Sequence, residues 1–456
     1  MWKFISFFLI PRAFIPSFLL SFALSTPALA LAEKRHQLLS IQGSNTIGAN
    51  LAPALIQGFL SRQGGSQIEV IDSDVNESQI WAKLPEEGSA GSLGKIKVDI
   101  AAHGSGTGFK ALRSLEADIA AASRPAKEKE VDSLSHLTQL TSATSEHIIG
   151  IDGLAIIIHP LNPIEQLSVQ QVADIFSGKI TNWSELGGRF GNINLYSRDN
   201  KSGTWDSFKR MVLGKAQLAQ RASRYEANDE LSDKVSSDVN AIGFVGLPSV
   251  RQSKLIAISD GFAKALKPTR LSIATEDYAL SRRLYFYTAG KSNNPYVQSF
   301  IQFVLSPEGQ EIVASNGVIA QHIEMVEPEG YTDLPVDFQQ LTEQGQRLTV
   351  NFRFNQGSAR LDNRALRDIQ RLVEFSQNHP NKKLVLIGFG DQKKSHERSR
   401  LLSKLRAMAV RRELVKFGIY PKFSHGYGEQ LPIASNLRES GRFKNRRVEV
   451  WLTNLD

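Results

Sequence analysis

Three short segments rich in Gly, Ser and Thr each stand directly ahead of a helical pattern. Gly43-Ser44-Asn45-Thr46 precedes the apolar positions Ile47, Leu51, Leu55 and Phe59. Gly104-Ser105-Gly106-Thr107-Gly108 precedes Phe109, Leu112, Leu115 and Ile119, and Lys201-Ser202-Gly203-Thr204 precedes Trp205, Phe208 and Val212. Each segment offers hydroxyl groups and unpaired backbone N–H groups at the positive end of a helix, which is the local chemistry an oxyanion requires. Converging all three would surround a tetrahedral anion with donors. Taken singly, each is an ordinary helix N-cap. Arg198 lies four residues before Ser202, close enough to aim a planar guanidinium at an anion held by the Ser202 to Thr204 turn. Alone, such an arginine would be a surface or bridging charge.

Other chemistries lack their residues. Gly104 to Gly108 resembles part of a dinucleotide fingerprint, but the matching acidic position is missing, and no GxxxxGK[ST] segment occurs. The chain contains no Cys, which removes disulfides, zinc-thiolate sites, iron–sulfur clusters, thiol nucleophiles and a lipid-bearing cysteine anchor. Its nine His have no HExxH-like spacing, and no nucleophile–base arrangement can be read. The expectation is a binding protein and not an enzyme, with no cofactor and no metal.

The elements that must position these residues are set by length and charge. The 456 residues are enough for two to four cores, and 41% hydrophobic with 22% charged residues fits globular domains. The chain opens with an apolar run from Phe4 to Leu24, broken by Pro11, Arg12 and Pro16, and then Thr26-Pro27-Ala28-Leu29-Ala30-Leu31-Ala32. Residues 1–30 read as a secretory signal with a small-residue cleavage site; the alternative is a retained membrane helix. No later stretch is apolar enough to span a membrane, which places the mature chain outside the cytoplasm.

From Arg347 to Asp456 there are 23 Lys and Arg against 10 Asp and Glu, whereas the rest of the chain carries 31 against 36. The overall +8 therefore belongs to the C-terminal quarter. A polar stretch containing Pro328, Gly330, Pro335 and Gly345 separates the two regimes. The expected organisation is a first domain over residues 33–325, a linker over 326–346 and a second domain over 347–456. In the second domain Leu348, Val350, Phe352 and Phe354 alternate as a strand. Leu361, Ala365, Ile369, Leu372 and Val373 form a helical face, Lys383 to Ile387 a strand, Ser399 to Phe417 a helix, and Val448, Val450 and Leu452 a final strand.

Ser44-Asn45-Thr46, Gly104 to Gly108, Ala122-Ser123-Arg124-Pro125, Asp174 to Trp183, Arg198 to Thr204, Ala241 to Val245 and Ser306 to Gln310 occur in the order seen in PstS-type periplasmic phosphate-binding proteins. The first domain resembles that family over residues 38–320. The resemblance implies an α/β fold of the type II periplasmic-binding-protein kind, with two lobes joined by two crossings and closing on phosphate. It also implies that Ser44, Thr46, Ser105 and Ser123 contact phosphate from one lobe and Arg198, Ser202, Gly203 and Thr204 from the other. Arg124 stands where the best-known branch carries an aspartate that accepts the proton of monohydrogen phosphate. Asp152 and Asp199 are the candidate substitutes, and Asp152 is equally readable as a turn residue ahead of Gly153.

Gly388-Phe389-Gly390-Asp391, Leu402 to Ala407, Gly426-Tyr427-Gly428-Glu429 and Asn445-Arg446-Arg447-Val448-Glu449 resemble an OmpA-like peptidoglycan-binding domain, a βαβαβ α/β sandwich. This resemblance implies that Asp391 and Arg406 grip the diaminopimelate of a stem peptide, Asp391 taking its ammonium and Arg406 its carboxylate. The chain departs from the family at Phe389, Gly390, Lys394 and Ser399. The whole chain is then expected to be a periplasmic binder of inorganic phosphate or a similar oxyanion for ABC-type uptake or sensing, with an ABC permease as a further partner. Its C-terminal domain would tether it to peptidoglycan, at or near the inner face of the outer membrane. The alternative is a wall-associated structural or adhesion protein whose clamshell no longer serves transport. Nucleic acid is not an expected partner.

Overall fold

A computed structural model describes residues 37–74, 76–85, 93–200, 202–290, 292, 294–327, 336, 338–339, 345–392 and 395–454. The signal segment, most of the linker and Lys394 lie outside the described residues.

The first lobe begins with β1 (Gln37–Gly43), α1 (Asn45–Gly48) and α2 (Leu51–Arg62), followed by β2 (Ser66–Asp74), β3 (Glu77–Pro85) and β4 (Leu93–Ala101). It continues through α3 (Ser105–Arg113), β5 (Ile119–Ala122) and α4 (Glu128–Leu134). The apolar stripe from Ile47 to Phe59 predicts one helix, but the structure splits it at Ala49 and Asn50. Leu55, Ile56 and Phe59 pack with Ile80, Ile100, Phe300 and Val304 in this lobe's core.

β6 (Glu146–Ile158) carries the chain across to the second lobe. Its near-continuous Ile, Leu and Ala side chains are buried, as expected of a strand covered on both faces. The second lobe holds β7 (Gln166–Ser168), α5 (Val169–Phe176), β8 (Asn194–Arg198), α6 (Gly203–Phe208), β9 (Ser223–Tyr225), α7 (Asn228–Ser237) and β10 (Ala241–Gly246). β11 (Lys254–Leu255), β12 (Ala257–Ser259) and α8 (Arg270–Ala274) complete it. Trp183 is buried in its core, with Phe176, Phe208 and Phe244 nearby. β13 (Ser281–Thr288) returns to the first lobe, which α9 (Pro295–Leu305) and α10 (Pro307–Ser315) close.

The two crossing strands join the lobes into one sheet of order β2-β3-β4-β1-β5-β13-β6-β10-β8-β9, with β11 also on β6. The first part of β6 pairs antiparallel with β13, and its last part pairs with β10. Rotation of one lobe against the other must therefore pass through β6 and β13.

The second domain follows β14 (Met325–Val326), with β15 (Gln346–Arg353), α11 (Asn363–Gln377), β16 (Lys382–Gly388), α12 (His396–Val415), β17 (Phe423–Gly426), α13 (Glu439–Asn445) and β18 (Arg447–Asn454). Its sheet has the order β14-β15-β18-β16-β17. Met325 and Val326, at the boundary of the expected linker, pair with β15 and become an edge strand. β17 and α13 are additions to the expected pattern; both are short, and neither shows a clear apolar period. One face of the sheet packs Leu348, Val350, Leu386 and Val450 against Ile369, Leu372, Val410 and Leu414. On the other face, Phe338 from the linker region is buried among Phe389, Tyr427 and Trp451. Among the described residues no helix is long and apolar enough to cross a membrane.

Candidate functional site

The three turns singled out by composition do lie at loop-to-helix entries. Ser44 precedes α1 in an extended conformation and makes no side-chain cap hydrogen bond. α3 starts earlier than the apolar pattern implies, at Ser105, because Gly104 takes φ 107°, a conformation open to glycine but strained for a side chain. Ser105 Oγ accepts from the Ser123 N–H at 3.1 Å, which ties the second turn to the end of β5. Ser202 caps α6, its Oγ accepting from Thr204 N–H at 3.2 Å and Trp205 N–H at 3.4 Å.

The turns of the two lobes meet. A Cβ added to Gly203 would lie 2.4 Å from Thr46 Oγ1 and 2.5 Å from Thr46 N, so only a glycine lets the second lobe approach the first this closely. Arg210, in the turn after α6, donates from Nη2 to Ser123 O at 2.9 Å and forms another bridge between the lobes.

The centre of this junction is Arg282, on β13. Its Nη2 donates to Thr46 Oγ1 at 2.7 Å, and Nε and Nη2 donate to Asp152 Oδ2 at 2.9 and 2.8 Å. Asp152 sits directly opposite on β6. The Arg282 side chain is only 5% exposed, and its Nη1 is buried with no hydrogen-bond partner among the described residues. An unmatched guanidinium donor in a closed crevice is costly unless an acceptor occupies the site.

Charged groups crowd this junction. Arg210 is pushed down to about 10 by burial and by repulsion from Arg282 and Arg124. Asp206, in the first turn of α6, is raised by burial despite the pull of Arg282 and Arg210. Arg282 is paired with Asp152 and Arg124 with Glu130, while Arg210 is opposed only through space by Asp206 and Asp152.

Arg198 is placed differently from the expectation. Its Nε donates to Tyr225 O at 3.3 Å, and its two Nη atoms donate to Asn228 Oδ1 and Glu226 O. These acceptors all lie in its own lobe, so Arg198 braces the turn behind Ser202. Asp199 lies beside it, 3.9 Å from Arg198 Nη2. Arg124 forms a two-pronged bond with Glu130 at 2.7 Å for each prong. The residues that composition missed are Arg282 and Arg210. The available signal for Arg282 was a paired arginine opening an otherwise apolar, aromatic strand, Ser281-Arg282-Arg283-Leu284-Tyr285-Phe286-Tyr287.

In the second domain Asp391 and Arg406 come together, but both are buried. Asp391 Oδ2 accepts from Arg446 Nη1 at 3.0 Å, and Arg446 is fully buried. Arg406 Nε donates to Ser358 O at 3.2 Å, while Nη1 and Nη2 have no hydrogen-bond partner among the described residues. Burial pushes Arg406 down to about 10, with Asp391 opposing the shift and Arg446 adding to it. Ser399 Oγ donates to Asp391 O at 3.2 Å and so supports the loop. Phe389 packs in the core under Arg447, whose guanidinium lies 4.0 Å from the ring centre. A side chain at Gly390 would lie 3.2 Å from Ser399 Oγ and 3.7 Å from Arg406 Nη1, so the glycine sits against the Asp391 loop and the buried Arg406 guanidinium. Arg446 was legible only as part of the Asn-Arg-Arg-Val-Glu motif.

Residues 85–308 match the PBP superfamily domain, and residues 353–446 match the OmpA family. The chain joins a PBP-superfamily domain to an OmpA-family domain. The PBP-superfamily domain is similar to the phosphate-binding protein PstS of Staphylococcus epidermidis, 29% identical over 282 residues that cover 60% of this chain and 82% of the relative. An ABC-type phosphate transport receptor from Vibrio cholerae is 24% identical, with 62% of this chain and 99% of that chain covered and a TM-score of 0.47. The peptidoglycan-associated lipoprotein from Burkholderia pseudomallei is 23% identical, with 23% of this chain and 89% of that chain covered and a TM-score of 0.22. Among the described residues no group of three or more His, Asp or Glu could hold a metal ion.

Proposed function

We propose that the chain captures inorganic phosphate in the cleft of its PBP-superfamily domain and is tethered to peptidoglycan by its OmpA-family domain. Ser44, Thr46, Ser105 and Ser123 line the cleft from the first lobe, and Ser202, Gly203 and Thr204 from the second. Arg282 supplies the buried positive charge and Arg198 holds the second-lobe turn in place. Asp152, its Oδ2 held by Arg282, is the acceptor that would favour monohydrogen phosphate over fully ionised sulfate. This is binding for uptake or sensing and not catalysis, in the periplasm and at the wall.

The observation that carries this reading is the buried Arg282 Nη1, without a partner among the described residues, at the place where Thr46 and Gly203 meet. The PstS relatives support phosphate as the anion. In the OmpA-family domain, the two Arg406 Nη groups would receive the carboxylate of a diaminopimelate head group while Asp391 takes its ammonium. Calorimetry of the full chain with phosphate and with sulfate tests the reading. Heat with phosphate and little with sulfate is expected, and the absence of heat with either anion would remove it. Replacing Asp152 by Asn should narrow the difference between the two anions.

A further inference from the structure

The OmpA-family domain is docked behind the same two strands that carry Asp152 and Arg282. On β13 successive side chains point to opposite faces. Arg282 reaches into the cleft, while Arg283 turns away to Glu276 and to Asp362 of the OmpA-family domain, the latter at 3.1 Å.

The docked domain holds both lobes. On the second lobe, Asp277 receives Arg347 and Arg353, each at 2.7 Å, and Lys444 Nζ donates to Tyr278 O at 2.7 Å. Tyr278 belongs to that lobe's core. On the first lobe, Asn363 Nδ2 donates to Thr141 O at 2.7 Å, Arg367 Nη2 to Glu146 O at 2.6 Å and Arg371 Nη1 to Gln321 O at 2.9 Å. The Asp277 cluster is buried, so it resists stretching: separating a buried ion pair strands charge away from water.

We propose that the OmpA-family domain is a brace across the hinge, holding the lobes in the closed arrangement in which Gly203 abuts Thr46, so that its attachment to the first lobe raises affinity for the anion. The coupling is reciprocal: an anion that favours closure also favours the braced arrangement. The inference rests on the phosphate reading for its ligand, but the brace itself can be read out without one.

The test uses the full chain with Asn363→Ala and Arg367→Ala together, which removes two of the three hydrogen bonds named above to the first lobe and leaves the Asp277 cluster intact. Because the chain has no native Cys, nitroxide labels at Lys110→Cys and Phe190→Cys report the distance between lobes by double electron–electron resonance. The expected result is a wider distance distribution without phosphate and a fall in phosphate affinity of about fivefold to thirtyfold, on the scale of one or two hydrogen bonds. Equal affinity in parent and variant, or an unchanged distribution, overturns the brace. If the parent binds no phosphate, the phosphate reading fails and the distance distribution alone decides the brace. Arg371→Ala, a single change on the same side, repeats the measurement if the double variant melts at a much lower temperature.

Discussion

Arg282 and Asp152 face each other across the two strands that cross between the lobes, Arg282 Nη2 lying 2.8 Å from Asp152 Oδ2. The pair therefore sits on the axis of any opening motion, while the same guanidinium reaches Thr46 at 2.7 Å. Replacing Arg282 by Gln removes the charge and leaves Asp152 without its partner. A charge-assisted contact contributes about 1.5–3 kcal/mol, so a tenfold or greater loss of phosphate affinity is expected by calorimetry. Unchanged affinity would rule Arg282 out as the anion's main electrostatic partner.

Gly203 makes a different prediction because its role is steric. A Cβ there would lie 2.4 Å from Thr46 Oγ1 and 2.6 Å from Thr46 Cα, both well inside normal contact. Gly203→Ala should hold the lobes apart. Small-angle scattering should show an expanded particle that phosphate no longer compacts, with the melting temperature little altered. A variant that compacts like the parent would contradict the close approach.

Arg406 is buried at a stability cost, since two of its guanidinium nitrogens have no hydrogen-bond partner among the described residues. Arg406→Met keeps the apolar stem and removes the buried charge. The melting temperature should stay the same or rise, while cosedimentation with peptidoglycan is lost. Asp391→Ala should behave in the opposite sense and lower the melting temperature, because the fully buried Arg446 loses one of its two carboxylates and keeps only the half-exposed Glu439. Equal wall binding by parent and Arg406→Met would refute the proposed grip.

The docked interface should be sensitive to acid in two steps. His147 is buried beside Arg367, and burial first, then that neighbouring charge, push it down to about 4 from an ordinary 6.5. The folded state thus favours the neutral ring. Its contribution is fully present above pH 6.5 and is lost as pH falls from 6.5 towards 4, by on the order of 3 kcal/mol. Glu276 and Asp277 are subject to an upward push from burial, but Arg283 and Arg364 on the first and Arg347 and Arg353 on the second lower both below the usual carboxylate range. Their contribution is present above the ordinary carboxylate values and is lost as pH falls below them. Urea midpoints measured across this range should fall in these two windows, and His147→Asn should flatten the upper one alone. An upper step that survives this substitution would assign it to another group.

The local features were legible because neighbouring residues determine them. Ser202 with Gly203 and Thr204 makes a helix entry whatever surrounds it, and the change of charge at Arg347 falls between the PBP-superfamily and OmpA-family matches. The apolar run of β6 and the alternation of β15 likewise announce strands. The stripe from Ile47 to Phe59 misled because spacing alone does not register the break at Ala49 and Asn50, where Gly48 packs against Ala102 so tightly that a Cβ would lie 2.6 Å from the alanine Cβ.

The amino-acid order by itself determined two α/β domains, the turns that present hydroxyl and N–H donors, and the motifs that carry Asp391 and, on α12, Arg406. Tertiary structure alone decided which arginine enters the junction between the lobes. Arg198 and Arg282 are equally charged in the sequence, but β8 places the first against the turn around Tyr225 and Asn228, while the register of β13 on β6 sets the second beside Asp152, 130 residues away. The docking of the basic domain on Glu276 and Asp277 was likewise invisible, because a charge excess predicts attraction but not which carboxylates become buried. Partners so far apart in the chain meet only once sheet pairing has fixed their alignment, and a buried charge cannot stay buried without the partner that this alignment supplies.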